Sequence, residues 1–522
     1  MRRRDFVRAG SALAAAASFG TLALTGRRAS AQPFGEPLES GSASALLPPG
    51  KRAEGILECF LYGGLSLWES FYGVKEYGTS NDPTKELQNT QLYTFFNAGN
   101  LALVKALTGC GGSADVLGSL VPFAKDALGA QVHMGPLAAL YLQRPDLVAR
   151  TRLVVNRHDL EPHEAAIPYA MTGRRLGAPT MSSIGAHVQR YFLEHDDSGR
   201  RSPHSYVFTS QLGAGATDNI RAASASGVHP GAARPLLIKV DGAARLVDLL
   251  QRKTVGEGRP EYDALLEAYV DQYRDRLRFG KAGDPLRAPK LAELSQGAAS
   301  VKNADAVASV LDPKLFEQIK DTICGDTDVN RPAMALRLAT RMLTHPTEPA
   351  RHCTIIDPGL KEADGGGGYD THAENCHTQA RNFSNFLTYL LANINAPGEK
   401  NPQKIDLDRT MVVLNMEFGR SPGRQPPQGR NHWPYGYVQI YIGGPIGAAQ
   451  KGIFGAIGPD GYAPEGMYTT PSENRIACLL ALGIWPFNPD SYGVSDVVGA
   501  QNELDGVKKV SERVLGHAEV GS

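Results

Sequence analysis

Along this chain, short runs that are apolar at nearly every residue alternate with longer segments whose apolar residues recur every three or four positions. The runs at 56–62, 101–107, 153–156, 206–209, 353–357, 410–416 and 438–442 predict strands. Several lack an apolar–polar alternation, as expected where both faces of a parallel sheet are covered. Between them, 182–194, 243–252, 261–276, 333–343, 374–394 and 472–482 carry the helical period. This order predicts an α/β fold, a mainly parallel sheet flanked by helices. Residues 215–330 are more polar and helix-rich, and predict a helical insertion or cap between core segments 53–214 and 331–522.

The N-terminus has a different character. Arg2, Arg3 and Arg4 lead into a small-residue apolar run from Ala9 to about Leu24, and Ala29-Ser30-Ala31 offers an A-x-A cleavage site. That layout predicts a bacterial twin-arginine signal peptide over 1–31, recognised by the twin-arginine export machinery. The run is too short and too weakly apolar for a convincing membrane span. A periplasmic or secreted protein is therefore expected, with 32–52, rich in proline and glycine, as an extended lead-in. No later stretch is apolar enough to predict a membrane span in the mature chain.

Lysine plus arginine number 54 and aspartate plus glutamate also 54, so no basic excess points to nucleic acid. The six cysteines form no C-x-x-C pair, which argues against a zinc ribbon or a dithiol redox site. Cys376, between His372 and His377, reads more simply as a buried thiol or half of a disulfide than as a ligand. Neither a Walker loop nor a Rossmann fingerprint is present, so no nucleotide cofactor is expected.

The chemistry gathers at the ends of predicted strands, where open parallel sheets bind ligands. At 365–372, Gly-Gly-Gly-Gly-Tyr-Asp-Thr-His delivers Asp370 and His372 two residues apart, on one side if the segment is extended. Carboxylate and imidazole suit zinc, manganese or a similar divalent metal. The competing reading has Asp370 capping the next helix and His372 on its first turn. Asn431 and His432, in Gly-Arg-Asn-His-Trp at 429–433, are further ligand candidates, Asn431 the weaker because it is neutral. Glu417 and Arg420 end a strand and open a loop; Arg420 could grip an oxyanion, or the two could form a local ion pair. His158 and His163 lie in a segment dense in titratable groups and could bind metal or move protons. Their five-residue spacing is not that of a helical zinc pair. Ser66, behind two glycines, is a candidate nucleophile or hydroxyl ligand.

The ordered set of motifs resembles the exported bacterial family called domain of unknown function 1501, which belongs with the alkaline-phosphatase and sulfatase fold group. The likeness rests on the twin-arginine start, Gly-Gly-Leu-Ser-Leu-Trp-Glu-Ser-Phe at 63–71, Glu-Pro-His-Glu-Ala at 161–165 and Thr172-Gly173. It continues with Tyr-Asp-Thr-His at 369–372, Glu-Phe-Gly-Arg-Ser-Pro at 417–422 and Gly-Arg-Asn-His-Trp-Pro at 429–434. The resemblance implies an alkaline-phosphatase-like sandwich and metal-dependent ester-hydrolase ancestry. Asp370, His372 and His432 would be ligands, and Glu417 and Arg420 would orient them or bind the oxyanion. Relatives usually carry Asp where this chain has Glu69 and Asn431, and the Cys-x-Pro-Ser-Arg motif of sulfatases is absent.

Two functions are expected from this reading. One is an exported metal-dependent hydrolase acting on a small anionic ester, of phosphate or sulfate, with metal-held water or Ser66 attacking and Arg420 stabilising the developing charge. The other is a catalytically weakened binding or assembly protein that keeps the fold and meets an envelope component.

Overall fold

The computed structural model describes residues 34–37, 40–77, 120–178, 181–195, 204–209, 235–240, 330–360, 368–373, 375–423, 425, 429–488 and 491–520, with single positions within 261–272. The strands are β1 (Gly55–Leu61), β2 (Gly73–Val74), β3 (Val121–Lys125), β4 (Gln131–Met134), β5 (Thr151–Asn156), β6 (Tyr206–Thr209) and β7 (Leu236–Lys239). Then come β8 (His352–Asp357), β9 (Thr410–Asn415), β10 (Gly419–Arg420), β11 (His432–Trp433), β12 (Tyr437–Gly443) and β13 (Gly452–Phe454). The helices are α1 (Ala139–Leu142), α2 (Pro145–Val148), α3 (His163–Thr172), α4 (Ile184–Glu194), α5 (Arg331–Leu343), α6 (Asn375–Ala392), α7 (Pro471–Ala481) and α8 (Glu503–Val510).

Eight strands form one sheet in the order β13-β5-β12-β9-β1-β8-β6-β7. Strands β9, β1, β8, β6 and β7 run parallel to one another, while β12 lies antiparallel to both β9 and β5. The predicted α/β class is the observed one. Near-continuous apolar strands follow from burial on both faces: all seven residues of β1 are buried. Leu57, Cys59 and Leu61 join the core that includes Leu336 and Leu338 of α5 and Phe383 and Phe386 of α6. Ile56 faces the other way, into the core of α4, α7 and α8.

The expected strands at 56–62, 153–156, 206–209, 353–357, 410–416 and 438–442 match β1, β5, β6, β8, β9 and β12 within two residues. Helices expected at 182–194, 333–343, 374–394 and 472–482 match α4, α5, α6 and α7 as closely. The signal peptide at 1–31, the strand at 101–107 and the helix at 243–252 lie outside the described residues. Within the expected helical insertion, β7 adds an edge strand to the sheet, and Glu261, Ala264, Leu265, Ala268, Tyr269 and Gln272 are helical. The lead-in is less extended than expected, with 3₁₀ turns at Ser40–Ala45 and Pro49–Lys51. Cys59, Cys353, Cys376 and Cys478 are buried free thiols, so Cys376 is not half of a disulfide.

One charged side chain sits inside the apolar run of β1. Glu58 is 2% exposed and pairs with Arg475 of α7, which is fully buried, and accepts from Asn415 Nδ2 at 2.7 Å. Burial would raise its pKa, but the charges and hydrogen bonds of Arg475 and His352 outweigh that and hold it at about 2. An unfolded glutamate titrates near about 4.3. The folded pKa is therefore depressed, and the resulting stability is present above that value and lost as pH falls toward about 2. Glu58→Gln should flatten this acid limb. It should also cost about 3–5 kcal/mol at neutral pH by leaving the Arg475 charge buried and unpaired. Urea unfolding of both proteins as a function of pH measures the two effects.

Candidate metal centre

Strands β1, β5, β8 and β9 end on one edge of the sheet, and antiparallel β12 begins there, so five chain segments meet at that edge. After β1 the chain turns through Gly63 and Gly64, at φ 106° and 86°. A Cβ on Gly63 would overlap the backbone of Asp370, and one on Gly64 would lie 2.6 Å from the Phe418 carbonyl oxygen. Only glycine lets the first loop be pressed between the segment carrying Asp370 and the one carrying Glu417. Tyr369 N–H donates to the Tyr62 carbonyl at 3.1 Å and Arg430 N–H to the Thr371 carbonyl at 3.0 Å. A Cβ on Gly429 would overlap the His372 carbonyl, so this glycine lays the 429–433 segment directly against 371–372.

Arg420 fastens these pieces. It is fully buried and gives Nε to the Gly64 carbonyl at 3.3 Å, Nη1 to the Arg430 carbonyl at 3.0 Å, and Nη2 to Asp370 Oδ1 at 2.6 Å and to the Gly63 carbonyl. Four hydrogen bonds leave its guanidinium little to offer a ligand. The expected oxyanion grip is therefore not what this side chain does; it holds a carboxylate and three carbonyls of the protein. Its cross-strand partner in the β10–β11 pair is His432, so register sets the two side by side, and both contact Asp370.

Three imidazoles surround that carboxylate. Nε2 of His372 and Nε2 of His432 each lie 3.1 Å from Asp370 Oδ1 and 3.1 Å from one another. His163 Nε2 is 3.2 Å from Asp370 Oδ2 without the alignment of a hydrogen bond. Each opposite ring nitrogen is engaged: His163 Nδ1 with Glu417 Oε1 at 2.9 Å, His372 Nδ1 with Gln425 Oε1 at 3.2 Å, and His432 Nδ1 with the Glu161 carbonyl at 3.0 Å. All three Nδ1 partners are oxygens, so with a cation bound each Nδ1 would carry the hydrogen and each Nε2 lone pair would face the ion. Imidazoles that bind metals are oriented in this way by their outer partners. Phe418 packs against two of the rings, with centroids 4.4 Å from His432 and 4.9 Å from His163. His163, Asp370 and His432 present ligand atoms all within 4.8 Å of one another, a group that could hold a metal ion.

The local field follows from this crowding. Burial would raise the Asp370 pKa, but the three imidazoles and Arg420 overcome it and keep the group ionised far below the usual carboxylate range. Burial disfavours a charged His163, yet Asp370 and Glu417 raise its pKa to about 9. For His432 burial prevails and the pKa falls. A negative, enclosed carboxylate ringed by nitrogen donors is the chemistry of a divalent-cation site, and the residues present fit one.

The remaining candidates take other places. Ser66 is fully buried, donates its hydroxyl to Glu69 and its backbone N–H to Gln379 Oε1 at 2.6 Å. Glu69 in turn forms a buried pair with Arg430. The hydroxyl is thus committed to holding the 63–71 loop, which leaves the nucleophile role without support. Asn431 is exposed, and its Oδ1 accepts from His432 N–H at 2.9 Å, so it shapes the backbone before His432 and does not join the ligand group. His158 is buried, donates Nε2 to the Glu417 carbonyl at 2.7 Å and accepts Leu160 N–H at Nδ1; burial lowers its pKa to about 4. It positions the strand end that carries Glu417. Glu417 is fully buried, accepts Gly63 N–H at 2.8 Å as well as His163, and has no partner at Oε2. Sequence reasoning left His163 between binding metal and moving protons, and it faces Asp370 as a third imidazole; Gln425 and Glu161, which fix two of the rings, it did not single out.

The fold and this cluster give an α/β protein with a histidine-rich group at the carboxyl edge of its sheet that could hold a metal ion. A family model described as a protein of unknown function, DUF1501, matches residues 142–473, and the chain belongs to that family. Comparison with curated proteins and with solved structures finds no match.

The tight approach at Gly429 yields a test. Gly429→Ala must push 429–433 away from His372 and separate the His372 and His432 rings. Zinc affinity, titrated against a chelating dye, should fall by about tenfold or more, the scale seen when the supports of ligands are disturbed.

Proposed function

We propose that this protein is an exported, metal-dependent hydrolase of phosphate or sulfate esters. The observation that carries the reading is the orientation of three imidazoles, each held by an oxygen at Nδ1 and turned by Nε2 toward Asp370. His163, His372, His432 and Asp370 would hold the cation. A divalent cation supplies Lewis acidity there, polarising an ester oxygen and making water a stronger acid. Arg420 keeps Asp370 ionised and oriented, and Glu417 fixes His163 from behind. His372 is the most open of the three rings, with 28% of its side chain exposed against 15% and 17%, so substrate would approach from its side. With Ser66 and Arg420 both engaged inside the protein, water is the nucleophile in this reading. The twin-arginine start supports delivery to the periplasm or beyond, and among the described residues no helix is long and apolar enough to cross a membrane.

A second reading has one specific observation in its favour: the serine and the arginine expected to do chemistry are both fully buried in structural bonds. In that case the protein keeps the site for binding or assembly with an envelope component.

Metal analysis of protein folded in the cell, paired with a panel of phosphate and sulfate esters, separates the two. The hydrolase reading expects bound metal and turnover, both lost in His432→Ala. A metal-free, inert protein would contradict it and favour the binding role. Asn431→Asp gives a further contrast: because that side chain turns to its own backbone, metal affinity should stay within about twofold, whereas removing a ligand should abolish it.

A further inference from the structure

Beside the His432 edge of the metal cluster lies an aromatic corner that the proposed chemistry does not use. The rings of Tyr435 and Tyr462 lie nearly parallel, at 27° with centroids 5.1 Å apart. Trp433 stands roughly perpendicular to both, at 79° and 74°, with centroids 5.2 and 5.0 Å away. The indole is fixed by its Nε1 donating to the Gly461 carbonyl at 2.7 Å. Tyr462 is 40% exposed, and Trp433 and Tyr435 are half-buried. Ordinary packing does not require a tyrosine this open, so the corner presents apolar ring surface to solvent.

One residue ties the corner to the cluster. Glu161 accepts the Tyr435 hydroxyl at Oε1, 2.7 Å, while its backbone carbonyl accepts His432 Nδ1 at 3.0 Å. The corner and the imidazoles thus share one supporting residue. Two exposed carboxylates reach the corner: Glu161 through the Tyr435 hydroxyl, and Asp460, which accepts Tyr462 N–H at 3.1 Å; close by, Arg157 donates to the Ala463 carbonyl and lies 3.9 Å from Glu465. Carboxylates accept hydrogen bonds and donate none, so they are complementary to a ligand rich in hydroxyl groups. They repel a polyanionic chain such as nucleic acid, and a lipid tail would leave them unanswered.

We propose that Trp433, Tyr435 and Tyr462 form a saccharide subsite, which holds the ring-bearing, non-reacting part of a carbohydrate ester while the ester group faces the metal cluster. This inference rests on the hydrolase reading above. A sugar ring offers an apolar face to the aromatic rings and hydroxyl donors to Glu161 and Asp460. Binding energy gained there, away from the reacting bond, would orient the ester.

The test uses the full mature chain on an array of neutral and sulfated oligosaccharides, followed by titration calorimetry with the strongest binder. Tyr462→Ala, at an exposed position, should weaken that binding by roughly tenfold while leaving metal content unchanged. Tyr435→Phe, which removes only the hydroxyl bonded to Glu161, should weaken it less. His372→Ala should lose metal yet keep glycan binding. A protein that holds metal but binds no glycan overturns the subsite alone, as does glycan binding indifferent to Tyr462→Ala. A protein that binds glycans through Tyr462 but holds no metal overturns the hydrolase reading instead. Capture of simple aryl esters with no oligosaccharide would contradict the saccharide assignment.

Discussion

The site depends on a buried arginine that is not free to do chemistry. Arg420 joins the carbonyls of Gly63, Gly64 and Arg430 to the carboxylate of Asp370, and so binds three chain segments that are far apart in sequence. Burying a guanidinium is costly unless its donors are answered, and here carbonyls and one carboxylate answer them. The same bonds fix Asp370 as an ionised, immobile anion at the carboxyl edge of the sheet. Around a fixed anion, three imidazoles can be oriented with little freedom left to lose, which is the preorganisation a metal site needs.

A second buried pair, Glu69 with Arg430, repeats the device, and it explains why Ser66 is engaged. The serine donates to the carboxylate that neutralises Arg430, and Arg430 holds the carbonyls of Ser421 and Pro422, each at 2.7 Å. The residues that resemble catalytic machinery in the primary structure thus divide into two groups. The imidazoles gather around Asp370; guanidiniums and the hydroxyl build the walls that hold them.

Much of the fold was legible because strands buried on both faces are apolar throughout, and β1, β8, β9 and β12 stand out for that reason. Helix α3 was not, since it is short, opens on titratable residues and carries Pro168 inside it, which weakens the helical period as a signal. Of the site, Asp370, His372 and His432 could be anticipated from residue type and their place after strands. The third imidazole, His163, had the right chemistry, but nothing local tells a ligand from a proton carrier; that is decided by Glu417, far away in sequence. The roles of Arg420, left between orienting ligands and binding an oxyanion, and of Ser66 were not legible for a related reason. Whether a polar side chain faces ligand or protein depends on which carbonyls the tertiary fold brings to it. Gly429 was the overlooked signal: a glycine directly before Arg-Asn-His-Trp marks a backbone approach that only the absence of a side chain permits.

The central claim is that His163, His372 and His432 turn their Nε2 atoms to a common ion held against Asp370. Anomalous diffraction from crystals grown with zinc or manganese tests it most directly. The account predicts a peak bounded by those nitrogens and an Asp370 oxygen, with each Nδ1 still bonded to Glu417, Gln425 or Glu161. A peak elsewhere, or rings turned so that Nδ1 faces the carboxylate, would contradict it.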